Sequence, residues 1–181
     1  MVRDAVATDL PVLLELMRGL ADYEGYLADF RVTEEVLRRQ GFERVPPDFH
    51  ALVAVAQDQA VLGMLVYHLI PFTYRARPTL FIKELYVVPA ARGRGIGEAL
   101  MQTTASRAVE AGCALIKWQV ARWNETAARL YRRLGAVSDE TWVDFLLHRE
   151  TIERLASGDP ASGAARSRPA PGPARYPDVE V

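Results

Sequence analysis

One stretch of the chain, from Leu80 to Gly97, constrains its fold more than any other. It begins with an apolar run that favours a β-strand, continues through a Pro-Ala-Ala turn, and ends in a basic, glycine-rich loop. A helical pattern follows directly, from about Glu98. This order brings the N-terminus of a helix next to a backbone that a ligand can approach closely. It therefore predicts an anion site, because a helix N-terminus offers N–H groups and a partial positive charge.

The loop supplies groups that suit phosphate oxygens. Arginine has a fixed charge and a forked set of donors, and glycine removes the side chain where a ligand comes closest. The spacing Gly-x-Gly-x-Gly differs from the dinucleotide pattern Gly-x-Gly-x-x-Gly, and no Gly-Lys-Ser/Thr follows as in a Walker loop. A tight strand-to-helix turn without a ligand is the alternative explanation. The predicted anion-binding residues are Arg92, Gly93, Arg94, Gly95, Ile96 and Gly97.

The complete string Val-x-Pro-x-x-Arg-Gly-x-Gly-Ile-Gly, from Val87 to Gly97, resembles the acetyl-CoA loop of the GNAT family of N-acetyltransferases. The resemblance implies that acetyl-CoA is the cofactor and that the loop amides hold its pyrophosphate. It also implies that the backbone of Leu85, Tyr86 and Val87 aligns the pantetheine arm. The implied fold is the α/β (mixed α+β) GNAT fold, a twisted mixed sheet of about seven strands with about four helices.

Length and composition limit the other possibilities. A chain of 181 residues, half of them hydrophobic and a quarter charged, suits one soluble domain. A formal net charge of -1 gives no general attraction to nucleic acid or to an anionic membrane. Without a membrane-spanning run or a signal-peptide pattern, the expected location is cytoplasmic. The only cysteine, Cys113, is predicted to be a core residue, and His50, His68 and His148 are too scattered to predict a metal site.

Hydrophobic periodicity gives a coarse order of elements. It predicts strands at residues 2–6, 49–56, 60–70, 80–88, 115–121 and 142–148. It predicts helices at about 10–21, 33–39, 98–110 and 124–134, with a short helical pattern up to residue 156. We therefore expect a GNAT domain over residues 1–156. Residues 157–181 include 16 Pro, Gly, Ser or Ala residues. Such a segment cannot bury enough apolar surface to offset the entropy of ordering it, so we expect a disordered tail.

The segment from Asn124 to Ala136 resembles a second GNAT element, Asn-x-x-x-x-x-x-Tyr-x-x-x-Gly-Ala/Phe. The resemblance implies that Tyr131 protonates the departing CoA sulfur and that Asn124 contacts the cofactor. A phenol with a pKa near 10 can donate its proton to a forming thiolate without being ionised beforehand. Among the neighbouring arginines, Arg133 is the predicted phosphate contact. The alternative is a helix with a solvated basic face and Tyr131 on its apolar side.

Shorter motifs narrow the resemblance to the diamine (spermidine/spermine) and thialysine acetyltransferase branch. They are Tyr23-Glu24 after the first helix, Val32-Thr33-Glu34 at the start of the second, and the turn Gly41-Phe42. The resemblance implies that Tyr23, Glu24 and Glu140 line the amine site, and that the protein is a homodimer. Each carboxylate taken alone is also consistent with a solvated surface charge.

The central strand departs from that branch. Ile82-Lys83-Glu84-Leu85 puts Lys83 where the branch has an acidic residue that binds or deprotonates the amine. Strand alternation then turns Glu84 to the other face unless a bulge changes the register. A lysine repels a polyamine but suits a substrate that carries a carboxylate near its amine. The general base stays open among Glu84, Glu24 and an ordered water.

These features predict an acetyl-CoA-dependent N-acetyltransferase in which a small-molecule primary amine attacks the thioester directly. With an amine pKa near 10.4, only roughly one amine in a thousand is neutral at pH 7, so a base is essential. Two alternatives remain at this level. The acceptor could be a protein lysine or N-terminus, or the chain could be a CoA-binding regulatory module without turnover, which the lysine at position 83 would favour.

Overall fold

The structure is a computed structural model that describes residues 1–71, 76–141 and 143–158. The chain divides into two compact units, Met1–Leu130 and Tyr131–Val181. Of the expected tail at residues 157–181, all but Ser157 and Gly158 lie outside the described residues. The sheet and the predicted anion loop belong to the first unit.

The first unit contains one five-stranded sheet whose strands follow in sequence order. The strands are β1 (Val2–Asp4), β2 (His50–Val55), β3 (Val61–Ile70), β4 (Thr79–Val87) and β5 (Leu115–Lys117). The first four strands pair antiparallel, whereas β5 lies parallel to β4. A parallel pair needs a crossover connection, which here consists of the glycine-rich loop and the helix that follows it.

Four helices begin in this unit, and a fifth lies wholly in the second. They are α1 (Leu10–Tyr23), α2 (Glu34–Leu37), α3 (Ile96–Glu110), α4 (Glu125–Arg133) and α5 (Arg149–Ala156). The side chain of Thr33 caps α2 by accepting a hydrogen bond from the Val36 N–H at 3.2 Å. A π-helical turn, Arg38–Glu43, continues α2 towards β2.

The two faces of the sheet are buried against different helices. One face packs against α1, and its core contains Leu13, Leu16, Met17, Leu20, Val53, Met64, Val66 and Tyr86. The helix α3 contacts β2, β3 and β4. Burial of such large apolar side chains stabilises the fold by roughly 1.5–3 kcal/mol each. Since side chains alternate along a strand, a change of register moves a residue from one face to the other.

The number of strands differs from the expectation of about seven, although the predicted mixed α/β fold is present. The described residues form five strands and five α-helices. The strand predicted at 115–121 ends at Lys117, and residues 143–148 form no strand, while Trp142 lies outside the described residues. Apolar composition marks a segment that can become a strand, but a strand also needs a partner edge, which the pattern does not supply.

Two further features concern the residues that the structure describes. No helix among them is both long and apolar enough to cross a membrane. In the same residues, no group of three or more His, Cys, Asp or Glu side chains is arranged to hold a metal ion.

Candidate functional site

A β-bulge at Lys83 determines which way the carboxylate of Glu84 points. On β3, Tyr67 lies opposite Ile82, and the preceding residue, Val66, lies opposite Glu84. Lys83 is therefore the extra residue of β4, left without a partner on β3. Directly opposite residues share a face of the sheet, so Glu84 lies on the side of Val66, which belongs to the core beneath α1.

The carboxylate of Glu84 is the most perturbed group at this position. Its Oε2 is buried and has no hydrogen-bond partner within the described residues. Burial raises the pKa of Glu84 to about 7, the Lys83 ammonium opposes this rise, and the Glu24 carboxylate adds to it. A carboxyl group with this pKa is partly ionised at neutral pH and can accept a proton there.

Glu24 and Tyr26 belong to the same electrostatic cluster. Desolvation raises the pKa of Glu24 although the residue keeps contact with solvent, and the Lys83 ammonium lowers it. Burial, followed by the charges of Glu84 and Glu24, raises the pKa of Tyr26 to about 12. The structure thus brings together the predicted residues Glu24, Lys83 and Glu84. Tyr26 was missed by the sequence reasoning, and its place two residues after Glu24 is the signal that could have found it.

The sheet opens beside this cluster. The strand β5 pairs with β4 only at Thr79, Leu80 and Phe81 within the described residues. From Ile82 to Val87, every β4 residue except Lys83 pairs with β3, while no β5 residue of the described chain pairs with this part of β4. The predicted pantetheine residues Leu85, Tyr86 and Val87 lie on this part of β4. Such a parted strand exposes backbone N–H and C=O groups to an amide-containing ligand.

The glycine-rich loop has the local geometry of an anion cradle. After a short 3₁₀ turn at Pro89–Ala91, the backbone is left-handed at Gly93, with φ 73°, and at Gly95, with φ 78°. A Cβ atom at either glycine would meet no other atom within 4 Å, so this backbone borders open space. Gly95 is also the N-cap of α3, whose first N–H groups have no carbonyl partners within the helix. The loop therefore fits a pyrophosphate.

The next glycine, Gly97, has a different environment. A Cβ atom there would lie 3.3 Å from Leu130 Cδ2 and 4.0 Å from Leu85 Cδ2. Gly97 thus allows close packing of α3 against α4 and β4, while Ile96 is the first residue of α3. Arg94 is exposed on the loop.

The Arg92 side chain packs against its neighbours on the protein surface instead of extending into solvent. Its guanidinium carbon lies 4.6 Å from the ring centroid of Tyr23 and 5.6 Å from that of Tyr86. Its Nε donates a hydrogen bond to the Val87 carbonyl oxygen at 3.1 Å. The Tyr23 ring also meets Trp123 edge-on, with centroids 5.4 Å apart. Arg92 is a predicted phosphate contact and Tyr23 a predicted amine-site residue, and the contact between them depends on the fold, so the sequence pattern does not predict it.

The remaining predicted residues lie at or beyond α4. The Asn124 Oδ1 accepts a hydrogen bond from the Ala127 N–H at 3.1 Å, so this side chain caps α4. Tyr131 and Arg133 lie on the last turn of α4, and Glu140 is exposed in the segment after it. These three residues belong to the second unit, and their predicted roles stay predictions.

Several known proteins resemble this chain in sequence. The sequence profile described as "Acetyltransferase (GNAT) family" matches residues 15–136. The chain is 33% identical over 166 residues to the thialysine N-epsilon-acetyltransferase of Bos taurus, covering 86% of this chain and 96% of the relative. It is 30% identical over 166 residues to the spermidine/spermine N(1)-acetyltransferase-like protein 1 of Homo sapiens, covering 86% of this chain and 23% of that longer protein.

A solved structure with the same fold is an integron cassette protein from the mobile metagenome of V. cholerae. It matches 86% of this chain and 96% of its own, with a TM-score of 0.70 and 24% sequence identity. At this identity the likeness shows the fold alone.

Proposed function

Because this chain belongs to the GNAT family of acetyltransferases, whose members take the acetyl group from acetyl-CoA, we propose that it acetylates a primary amine of a small molecule. The proposed acceptor is a diamine, a polyamine or a lysine-like amino acid. Acetyl-CoA, when bound, supplies an activated carbonyl carbon and a thiolate leaving group. The chain's own residues hold it, accept the proton of the attacking amine and return a proton to the sulfur.

The buried carboxylate of Glu84 is the observation that carries the proposal. It lies beside the open part of β4, its Oε2 has no partner among the described residues, and its pKa is raised to about 7. An ammonium group placed there would transfer its proton to Glu84, directly or through a water, and become a neutral nucleophile. The structural reason for this carboxylate is the bulge at Lys83, which turns Glu84 into the α1 side of the sheet.

The cofactor residues follow from the loop and the open strand. We assign pyrophosphate binding to the amides of residues 92–97 and to Arg94, and alignment of pantetheine to the backbone of Leu85, Tyr86 and Val87. The positive φ angles of Gly93 and Gly95 support this assignment, because a side chain at either position would fill the cradle. Asn124 and Arg133 are assigned as further cofactor contacts.

Tyr131 is assigned as the general acid. The proton taken from the ammonium passes from Glu84 to solvent, and the second proton that the nitrogen loses as the amide forms would restore the Tyr131 phenol, directly or through water. As the carbon–sulfur bond breaks, the phenol would give its own proton to the departing sulfur. A neutral phenol can do this at pH 7 because its ordinary pKa lies near 10.

The charges around Glu84 favour an acceptor with both signs of charge. Glu24 can attract an ammonium, and Lys83 can pair with a carboxylate. A lysine-like amino acid satisfies both groups, whereas a polyamine meets repulsion at Lys83. Tyr23 is assigned to amine binding, and so is Glu140, as the resemblance implies. The similarity to thialysine N-epsilon-acetyltransferases supports this choice.

The test measures CoA thiol release with acetyl-CoA and a panel of acceptors: lysine, thialysine, spermidine, putrescine, a small aminoglycoside and a lysine-containing peptide. We expect the highest kcat/KM with lysine or thialysine. We also expect Tyr131→Phe and Glu84→Gln to lower kcat by about 10²-fold or more. The matched control is Tyr67→Phe, which removes a hydroxyl on β3 away from the loop.

Each other outcome changes the assignment. Fastest turnover with spermidine would overturn the role given to Lys83, and turnover only with the peptide would make a protein the acceptor. If acetyl-CoA raises Tm but no amine releases thiol, the chain is a binding module. Assembly as a homodimer, which the resemblance implies, is checked separately by light scattering.

A further inference from the structure

The Arg92 guanidinium is attached to the protein at three points. It lies 4.6 Å from the centroid of the Tyr23 ring and 5.6 Å from that of the Tyr86 ring, and its Nε binds the Val87 carbonyl oxygen at 3.1 Å. A guanidinium over an aromatic face is attracted by the charge distribution of the ring, more strongly where the pair is desolvated. These contacts turn Arg92 towards β4 and the end of α1.

Both tyrosine rings are themselves held in place. Tyr86 is 9% exposed within the core, and its ring packs so tightly on Gly19 of α1 that a Cβ there would come within 2.9 Å of the Tyr86 Oη. Tyr23 is the last residue of α1, and Trp123 packs edge-on against it. The guanidinium therefore packs on two rings that are held in place by their own contacts.

Arg92 is also the last residue before the left-handed glycines of the loop. Its own backbone is extended, and the next residue, Gly93, is left-handed with φ 73°. Glycine at this position leaves the backbone free to take other conformations. A fixed Arg92 side chain limits that freedom at the point where the loop begins, so less entropy is lost when the loop amides bind an anion.

We propose that Tyr23 is a positioning residue for the acetyl-CoA loop and that it acts through the guanidinium of Arg92. The proposal rests on the proposed function, since it assigns acetyl-CoA to this loop. It gives Tyr23 a role in cofactor affinity, in addition to the amine-site role that the resemblance implies. Arg92 then acts on the loop mainly through its contacts with Tyr23, Tyr86 and Val87, and the amides and Arg94 face the phosphates.

The test is a double-mutant cycle on CoA affinity, measured by calorimetry with CoA itself. We expect Tyr23→Leu to raise the Kd for CoA about three- to tenfold, in line with the loss of a cation–π contact. In an Arg92→Leu background the same change should raise the Kd less than about 1.5-fold, because its partner is already gone. Tyr23→Phe keeps the ring face and should bind CoA like the wild type.

A second arginine–aromatic contact, made by an arginine of α1, provides a matched control. Arg18 lies over the ring of Phe30, 5.7 Å from its centroid, so Phe30→Leu removes a comparable contact away from the loop. This variant should leave the Kd for CoA unchanged. In steady-state kinetics, Tyr23→Leu should raise the KM for acetyl-CoA by a larger factor than the KM for the amine. If Tyr23→Leu folds poorly, Tyr23→Met, which is also unable to stack, takes its place.

The results distinguish a failure of the positioning role from a failure of the proposed function. An equal rise in Kd with and without Arg92 would overturn the positioning role, and so would a rise in the amine KM alone. A wild-type chain that does not bind CoA would instead overturn the proposed function, and this inference with it. A similar loss in Phe30→Leu would show that general destabilisation causes the effect, and would also overturn the role.

Discussion

Glu84 lies opposite Val66 in the pairing of β3 and β4, one residue out of step with the pair formed by Tyr67 and Ile82. The extra residue, Lys83, is the one whose charge departs from the acidic residue expected there. Because of this bulge, a carboxylate faces the α1 side of the sheet even though the expected position carries an ammonium. Glu84 and Lys83 then act on each other electrostatically, with the pKa of Glu84 raised to about 7 by burial.

The pH dependence of turnover tests this carboxylate as a base. With a pKa of about 7 for Glu84, kcat/KM for the amine should rise between pH 6 and 8 as the carboxylate ionises. Glu84→Gln cannot accept a proton, so kcat should fall about 10²- to 10⁴-fold and this limb of the profile should disappear. The measurement is the pH profile of thiol release at saturating acetyl-CoA.

Glu15→Gln is the control for that experiment. Glu15 is an exposed residue of α1, so its substitution removes the same charge without changing the site. It should leave the profile unchanged. A limb that persists in Glu84→Gln would assign the ionisation to another group, with Glu24 the next candidate.

Stability should also depend on pH through Glu84. The folded state raises the pKa of this carboxyl from 4.5 to about 7, so between these values the folded chain holds a proton that the unfolded chain has lost. The contribution of protonated Glu84 to the free energy of unfolding is fully present below about pH 4.5 and is lost as the pH rises through 7. Raising the pH from 5 to 8 should therefore destabilise the wild type relative to Glu84→Gln by about 1–3 kcal/mol. Urea unfolding at both pH values measures this, and equal changes in the two proteins would contradict it.

Local sequence predicted the fold class, the family and the loop, because each rests on residues close together in the chain. The GNAT assignment is confirmed, and Gly95 and α3 follow the strand as the pattern predicted. The contacts made by long-range pairing could not be predicted in this way. The bulge at Lys83 depends on the register with β3, and the contacts of Arg92 with the two tyrosine rings depend on α1 lying beside β4.

The charge of Lys83 should select the acceptor. Lys83→Glu restores an acidic residue at this position, so we expect kcat/KM for spermidine to rise and that for lysine or thialysine to fall, each by about tenfold. Arg77→Glu reverses an exposed charge in the bend before β4, two residues ahead of its first residue, and should change neither value. Thiol release with each amine provides the measurement. A preference that stays unchanged in Lys83→Glu would mean that this ammonium does not meet the acceptor.

The two ends of α3 allow backbone strain to be separated from ligand binding. Gly95 precedes the helix with φ 78° and Gly112 follows it with φ 66°, and a Cβ at either would meet no atom within 4 Å. Alanine at each position should cost a similar stability, about 1–2 kcal/mol, because both backbones are left-handed. Only Gly95→Ala should also weaken CoA binding, by about tenfold or more, since its methyl group enters the proposed phosphate cradle. Urea unfolding and calorimetry with CoA measure the two effects. Equal Kd values for both variants would mean that this loop does not bind the phosphates of CoA.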